Sequence, residues 1–310
     1  MRVIVVGLGV QGYKRRKYAE KDYVASVDPI NKEAEYRSIQ DVPIDDYDAI
    51  LACIPDEPKV EVLRYSLTNG KHVLVEKPLW ASSDEEIINL EKLAREKNVV
   101  CYTAYNHRFE PHYIAMRDLI ASGRLGKIYS CRMFYGNGTA RLVRDSVWRD
   151  RGDGVLSDLG SHLLDTCRFW FGNDLGEFKL TAAHNFENLA PDHIVISSEE
   201  NQPRIELEMT LCMWRNHFTC DILAEKGTAH IESLCKWGPT TFSHRVRVLP
   251  SGRPPETKVT LIQEDPTWAA EYDHFKRLIS STSVTDLSND LWLQTNLRRI
   301  GSSIKNNRTN

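Results

Sequence analysis

Two residues of this 310-residue chain, Asp158 and His162, have the types and spacing for acid–base chemistry. They lie in the apolar segment Gly154 to Gly172, where Val155, Leu159 and Leu163 recur at helical spacing with Leu156, Leu164, Cys167 and Phe171 nearby. Residues four apart on a helix project from one face. A carboxylate and an imidazole on the buried side of an apolar helix are costly unless they are paired or used. Taken alone, the pair fits a structural hydrogen bond better than a catalytic role. A functional reading requires the rest of the chain to supply a lysine and a cofactor.

The chain start supplies the cofactor. Val3-Ile4-Val5-Val6 is a short apolar run, as expected of a parallel strand covered on both faces. It runs into Gly7-Leu8-Gly9-Val10-Gln11-Gly12 and then a polar helical stretch to about Glu20. A G-x-G-x-x-G that follows a strand and opens a helix is a dinucleotide fingerprint. Gly7 permits the tight turn, Gly9 lets a pyrophosphate approach the backbone, and Gly12 lets helix and strand pack closely. The helix N-terminus, at Val10 and Gln11, offers N–H groups and positive potential to the phosphates. The next strand, Tyr23 to Val27, ends at Asp28, where an acid would hold the adenosine ribose 2′-hydroxyl. A carboxylate there would repel a 2′-phosphate, which favours NAD over NADP; the plainer alternative is a cap or turn residue before Pro29. The basic run Lys14-Arg15-Arg16-Lys17 reads as a solvated helix face, and Tyr13 as a packing residue.

Strands must position these groups. Asp48 to Ile54 reads as a third buried strand ending at Ile54-Pro55-Asp56, a loop that would face the cofactor. A helix follows over Lys59 to Asn69 with Gly70 as its C-cap. His72 to Val75 is a fourth strand, ending at Glu76-Lys77-Pro78. A helix runs from about Ser83 to Lys97, and Val99 to Ala104 is a fifth strand, ending at Tyr105-Asn106-His107-Arg108-Phe109. This alternation predicts a doubly wound parallel sheet with ligand groups at the carboxyl ends of its strands, where Glu76, Lys77, Asn106 and Arg108 sit. After a helix at about Pro111 to Ser122 the pattern changes. Strand-like runs at Lys127–Tyr135, Lys179–His184, Ile194–Ser198, Ile205–Met213, Phe218–Ala224, Thr228–Glu232 and Arg245–Leu249 predict a mostly antiparallel open sheet in an α+β domain. Gly136 to Gly154 reads as a loop. Helices at about Thr267–Ser280 and Leu287–Lys305 close the chain, and Asn306 to Asn310 is expected to fray.

Composition narrows the partners. The chain is 41% hydrophobic and 27% charged, ordinary for a globular protein, and its net charge of -3 gives no sign of a nucleic-acid or membrane partner. Seven cysteines with no C-x-x-C pair read as reduced thiols. The remaining histidines, including His107, His112, His184 and His193, have no metal-ligand spacing, so no metal is expected. The N-terminus goes straight into a strand and no apolar run approaches a membrane span, so a cytoplasmic protein is expected.

With these residues in hand, the chain resembles the Gfo/Idh/MocA family of nicotinamide-dependent sugar and polyol oxidoreductases. The resemblance covers nearly the whole chain. It is carried by the opening glycine motif, Glu76-Lys77-Pro78, Asn106-His107-Arg108-Phe109, Ser122-Gly123-Arg124-Leu125-Gly126-Lys127-Ile128 and Gly154-Val155-Leu156-Ser157-Asp158-Leu159-Gly160-Ser161-His162. It implies a Rossmann domain over residues 1–108 and a substrate-binding and oligomerisation domain over 109–310, with the last helix packing back on the first domain. It implies a homodimer or homotetramer through the open sheet. It implies Lys77 as the catalytic lysine, Asp158 and His162 completing the site, and a Lys77-Pro78 bond that is often cis. The family's glycine-rich entry before the Asp–His helix is here Arg151-Gly152-Asp153-Gly154, so substrate contacts are expected to be unusual. The opening motif followed by basic residues is similar to that of bacterial sugar-nucleotide 3-dehydrogenases of the UDP-N-acetylglucosamine type.

Oxidising a secondary alcohol needs a base for the hydroxyl proton as the hydride leaves. His162 suits that task because its unperturbed pKa is nearest neutrality. Lys77 would hydrogen-bond the same oxygen or relay the proton, and Asp158 would orient His162 or bind an adjacent hydroxyl; which of His162 and Lys77 is the base stays open. Asn106 would order the loop under the nicotinamide. Arg108 would anchor a substrate phosphate or carboxylate. Arg144, Arg149 and Arg151, in the loop before the helix, have the planar fork that suits a diphosphate. These readings point to an NAD-dependent dehydrogenase acting on a nucleotide-linked sugar, and the resemblance implies a ring carbon such as C3. A free-sugar or inositol dehydrogenase and a non-catalytic NAD-binding regulator are the alternatives.

Overall fold

The computed structural model describes residues 1–146, 149–198 and 203–308. It forms two compact units: Met1–Asn106 with Thr267–Thr295, and His107–Pro266 with Asn296–Asn310.

The first unit runs β1 (Val3–Val6), α1 (Val10–Ala19), β2 (Tyr23–Val27), β3 (Ala49–Ala52), α2 (Asp56–Thr68), β4 (His72–Glu76), α3 (Asp84–Glu96) and β5 (Cys101–Ala104). All five strands are parallel, in the order β2-β1-β3-β4-β5. The continuous apolar character of β1 follows from burial on both sides. Ile4 and Val6 join Leu63 and Leu67 of α2 and Ile87 and Leu90 of α3 on one face. Val3 and Val5 join Ala19, Tyr272 and Phe275 on the other. The order reverses between β1 and β3, and a crevice at the carboxyl ends of strands at such a switch point is where open α/β sheets bind ligands. Helix α2 begins at Asp56, three residues before the expected Lys59, because Pro58 lies in the first turn, where a missing N–H costs nothing. Gly70 ends it at φ +69°, and Ser83 caps α3 by accepting from the Glu86 amide at 3.3 Å.

The second unit contains α4 (Pro111–Ala121), β6 (Ile128–Gly136), α5 (Ala140–Arg144), a π-helical turn (Leu156–Gly160) and α6 (Ser161–Phe171). Its strands continue with β7 (Lys179–His184), β8 (His193–Ser198), β9 (Arg204–Thr210), β10 (His217–Ala224), β11 (Gly227–Glu232), β12 (Thr240–Val246) and β13 (Glu256–Leu261). The eight strands form one sheet in the order β13-β12-β11-β10-β6-β9-β8-β7. All pairs are antiparallel except β6 with β9, which run parallel. Cys131, Met133 and Tyr135 of β6 and Phe218, Cys220 and Ile222 of β10 are buried. Alternating with them, Arg132 and Asp221 are exposed on the other face. The buried face packs against α4 and α6. Tyr113 lies 5.2 Å from the Phe218 ring, and Trp170 Nε1 donates to the Tyr113 carbonyl at 3.0 Å. Helix α7 (Thr267–Ser280) and the start of α8 (Ser288–Arg308) belong to the first unit.

Four expectations shift. The strand placed at Arg245–Leu249 is β12, which starts five residues earlier at Thr240. Strand β13 was not foreseen, because five of its six residues are exposed and none marks a core-facing side. The expected loop Gly136–Gly154 holds the short helix α5, and its residues 147 and 148 lie outside the described residues. The last helix continues to Arg308, past the expected end at Lys305, and residues 309 and 310 of the expected frayed end lie outside the described residues. Among the described residues, no helix is long and apolar enough to cross a membrane. All seven cysteines are free thiols.

Candidate functional site

In the first unit the glycine motif has the geometry of a phosphate cradle. Gly7 sits at φ +90°, and a Cβ there would stand 2.4 Å from the Cys53 carbonyl oxygen. A Cβ on Gly12 would stand 2.0 Å from the Gly7 carbonyl oxygen. At Gly9, in contrast, an added Cβ would meet nothing within 4 Å, so the open side of the loop is free for a ligand. Helix α1 starts here with no side-chain cap and no acid in its first turn, and Val10 and Gln11 are exposed. Its N–H groups therefore face an anion site, not a competing carboxylate. Ile54 flanks Gly7, its Cγ2 within 2.9 Å of a Gly7 Cβ position, and exposed Pro55 precedes α2.

Asp28 is tied into this loop. Its Oδ2 accepts from the Leu8 amide at 2.7 Å, and its Oδ1 accepts from the amides of Asn31 at 2.7 Å and Ile30 at 2.9 Å. Partial burial raises the carboxyl pKa, but the three N–H donors and nearby Arg37 outweigh it and hold the group below its ordinary value. Asp28 therefore stands ionised at the end of β2, and the turn role before Pro29 is present alongside the position for a ribose. Asn31 Nδ2 closes the arrangement by donating to the Leu8 carbonyl at 2.8 Å. The residues present fit a dinucleotide. Tyr13 does not pack in the core; it is exposed, and its hydroxyl donates to Glu33 at 2.8 Å and accepts from Asn31 at 3.0 Å.

The loop carrying Lys77 is held from three sides. Glu76 Oε1 accepts from Arg15 Nε at 2.7 Å, and Arg15 Nη2 reaches Glu271 at 2.7 Å, with the Trp268 ring 4.4 Å from its guanidinium carbon. Arg15 is 1% exposed, which corrects the reading of Lys14–Lys17 as a solvated face: one of the four basic residues turns inward. Burial alone would lower its pKa, but Glu76 and Glu271 outweigh it and keep the guanidinium charged. Lys59, 2% exposed, sends its ammonium to the Pro78 carbonyl at 2.8 Å, the Glu76 carbonyl at 3.4 Å and Asp56 Oδ1 at 2.6 Å. Gln294 accepts from the Ala81 amide and donates to Asp84, each at 2.8 Å. Lys77 itself is half-buried, and the Lys77-Pro78 bond is cis. Asn106 donates to Thr267 Oγ1 at 2.8 Å, which fixes the end of β5 to the start of α7.

In the second unit, Asp158 falls in the π-helical turn that leads into α6, and His162 in the first turn of α6. Single π turns inside helices are frequent at functional sites. His162 is 8% exposed. The Asp158 side chain is 40% exposed, so only the imidazole meets the expectation of a buried pair. Arg149 approaches Asp158 Oδ2 at 3.5 Å. Arg108 forms a two-point ion pair with Asp165 of α6, Nε to Oδ2 at 2.9 Å. Arg144 and Arg151 are exposed. The His162 ring stacks on that of His107, centroids 3.9 Å apart and planes 16° from parallel. Lys236 Nζ lies 3.2 Å from His107 Nε2, 3.1 Å from the Tyr135 hydroxyl and 4.7 Å from the Trp237 ring centre. Desolvation by these groups pushes the Lys236 ammonium down to about 8, against the pull of Asp265, Glu110 and Asp158. The residue as a whole keeps solvent contact, which limits the drop, so its direction carries the chemistry.

Four functional candidates were thus missed in the sequence: Arg15, Lys59, His107 and Lys236. For His107 the signal lay inside the Asn106–Phe109 motif. Lys236 beside Trp237 and Lys59 three residues after Asp56 give none, since both patterns are common on surfaces.

Comparisons with known proteins place both parts of the chain among oxidoreductases. The family model described as the oxidoreductase family's NAD-binding Rossmann fold matches residues 1–105. The GFO/IDH/MocA C-terminal domain model matches residues 113–230. Levoglucosan dehydrogenase of Pseudarthrobacter phenanthrenivorans is 30% identical over 147 residues, 46% of this chain and 37% of that protein. The NAD(+) scyllo-inositol 2-dehydrogenase of Bacillus subtilis is 27% identical over 202 residues, 56% of this chain and 55% of that protein. The chain thus spans only about a third to about a half of the length of these curated relatives. A solved structure of levoglucosan dehydrogenase with NADH superposes with a TM-score of 0.82 at 18% identity, covering 98% of this chain and 96% of that one, which shows a shared fold. The first unit is an NAD-binding Rossmann domain, and the chain belongs to the Gfo/Idh/MocA oxidoreductase family.

Proposed function

We propose that this chain is an NAD-dependent dehydrogenase acting on a secondary alcohol of a small cyclic sugar or polyol. The observation that carries the reading is the glycine cradle, open at Gly9 and tied to an ionised Asp28. Bound NAD supplies the hydride acceptor. The chain's own residues handle the proton. His162 takes it from the reacting hydroxyl at its imidazole, Lys77 stabilises negative charge developing on the same oxygen, and Asp158 holds an adjacent hydroxyl or orients His162. The Arg149 guanidinium beside Asp158 favours its ionised form.

The substrate class is where the reading turns from nucleotide sugars to unphosphorylated rings. Two of the four expected phosphate anchors, Arg108 and Arg149, already face Asp165 and Asp158, while Arg144 and Arg151 are exposed. A guanidinium held by a carboxylate is a poor receptor for a second anion. The relatives named for levoglucosan and scyllo-inositol point the same way. Self-association through the outer face of the sheet, where Arg132 meets Glu206 at 3.1 Å, is proposed as the quaternary arrangement; light scattering tests it.

The test is absorbance at 340 nm with NAD and a panel of levoglucosan, scyllo- and myo-inositol, glucose and UDP-N-acetylglucosamine. Turnover of a free ring compound is expected. Faster turnover of the UDP-sugar would restore the nucleotide-sugar reading. No change on any compound would favour a non-catalytic NAD-binding regulator. Lys77→Ala and His162→Ala are each expected to keep under about a tenth of the turnover, since positioned acid–base groups contribute ~10²–10⁴-fold.

A further inference from the structure

We propose that His107 and Lys236 are positioning residues that hold His162 ready to accept a proton. The inference rests on His162 being the base of the proposed reaction. It starts from the stack: an imidazole 3.9 Å from another and nearly parallel fixes its neighbour's ring plane. Stacked rings share no hydrogen bond, so no proton passes between them. What passes is charge. If His107 were protonated, a cation would face His162 at van der Waals distance and oppose its protonation. A base that takes a proton during turnover needs that neighbour neutral.

Lys236 provides this. Its ammonium has only protons to donate, so its contact at 3.2 Å makes His107 Nε2 the acceptor and leaves the ring's proton on Nδ1. Protonating Nε2 would break that bond and set two cations together. The ammonium is anchored by donation to the Tyr135 hydroxyl at 3.1 Å and by the Trp237 face. His107 is faced by Tyr113 of α4, Tyr135 of β6, His162 of α6 and Lys236, and Glu110 follows three residues on in sequence. The charges acting on Lys236 are Asp265, Glu110 and Asp158, all of which favour its ammonium form. Burial pushes the ammonium down to about 8, so it remains mostly charged at neutral pH and releases His107 from this constraint only in mild alkali, where a neutral imidazole is in any case the stable form.

The test uses the full chain with Lys236→Met and Lys236→Arg, read first by 15N-histidine NMR in the absence of substrate, with His107→Gln to assign the signals. The wild type is expected to show a neutral His107 ring in its Nδ1–H tautomer at neutral pH. In Lys236→Met the same ring should take up its second proton at higher pH than in the wild type, and Lys236→Arg should restore the wild-type behaviour. The second readout is the pH profile of kcat/KM. Lys236→Met is expected to move the acid limb up by about one unit, a loss that approaches tenfold only at the acid end of the profile and largely recovers at pH 9. An Nε2–H tautomer in the wild type, or identical His107 titration in wild type and Lys236→Met, would overturn the proposal. So would a loss in Lys236→Met that is equal at every pH, because a merely structural role predicts that. Absence of turnover in the wild type would instead count against the functional reading, while the spectra would still decide the contact between Lys236 and His107.

Discussion

Replacing Lys59 by methionine isolates what the buried ammonium does for the loop that carries Lys77. The side chain is 2% exposed and makes three contacts of unequal worth. The bond to the Pro78 carbonyl, at 2.8 Å, is charge-assisted and contributes about 1.5–3 kcal/mol. The contact with the Glu76 carbonyl at 3.4 Å is long and adds little. The ion pair with Asp56, whose side chain is 50% exposed, is screened and adds under about 1 kcal/mol. Methionine fills most of the volume and regains part of the loss by burying its thioether. The net cost is then about 2–3 kcal/mol, which for a unit of this size lowers the melting temperature by roughly 5–10 °C.

The catalytic effect should be larger than the stability effect. Two of the three contacts end on the carbonyls of Glu76 and Pro78, on either side of Lys77. Without them the loop shifts, and a displacement of about 1 Å in a positioned group costs about 10²-fold in rate. The assay is turnover of the substrate found in the panel, beside thermal melting and NAD affinity measured by fluorescence. Lys59→Met is expected to lose about 10²-fold in kcat/KM while NAD affinity changes less than about threefold. A variant that melts lower but turns over normally would refute the reasoning, because Lys59 would then be a structural cation that does not set the position of Lys77.

Arg15→Met should destabilise by about 3–5 kcal/mol in thermal or urea unfolding, since it strips the guanidinium from Glu76 and Glu271 inside the first unit; adding Glu271→Gln should recover part of the loss. Gly12→Ala drives a Cβ to 2.0 Å from the Gly7 carbonyl oxygen, backbone against backbone, so NAD affinity by calorimetry should fall at least tenfold. Asp28→Asn should narrow the preference for NAD over NADP in side-by-side Kd measurements, because the charge that repels a 2′-phosphate is gone. The folded Asp28 carboxyl lies below its unfolded value of about 3.9, so it stabilises the fold above that value, and the contribution disappears as pH falls through the lower folded pKa. Stability of Asp28→Asn should therefore run parallel to the wild type above about pH 4 and lack the part of the loss that the wild type shows as pH falls from there through the lower folded value.

The Rossmann half was legible because each of its signals has a local cause. Val3 to Val6 are apolar at every position since both faces of β1 are covered, and Gly7 and Gly12 are glycine since a Cβ would strike a carbonyl at 2.4 and 2.0 Å. Asp28 was legible because strand β2 ends beside the glycine turn, a relation set by twenty residues of chain. Strand β13 was not, since a sheet-edge strand with five of six residues exposed has no apolar face to declare itself. The parallel pairing of β6 with β9 was likewise hidden, because alternation along a strand says which face is buried and nothing about the direction of its neighbour.

The cations show where sequence reasoning stops. Arg15 stands between Lys14 and Arg16 in a run that any charge count assigns to solvent, yet its carboxylate partners are Glu76 and Glu271, 61 and 256 positions away. Lys59 meets backbone carbonyls, which every residue has and no sequence marks. Lys236 meets His107 across 129 positions. Arg15 and Lys59 are retained inside because their partners were brought there by the fold, and burying an unpaired ammonium or guanidinium would cost several kcal/mol; Lys236 keeps solvent contact while its ammonium meets His107. The informative property of these residues is therefore the pairing. It also explains why they gather at loops carrying Lys77 and at the ring beside His162: a fixed charge can hold a carbonyl or a tautomer in place only where water is kept from competing for it.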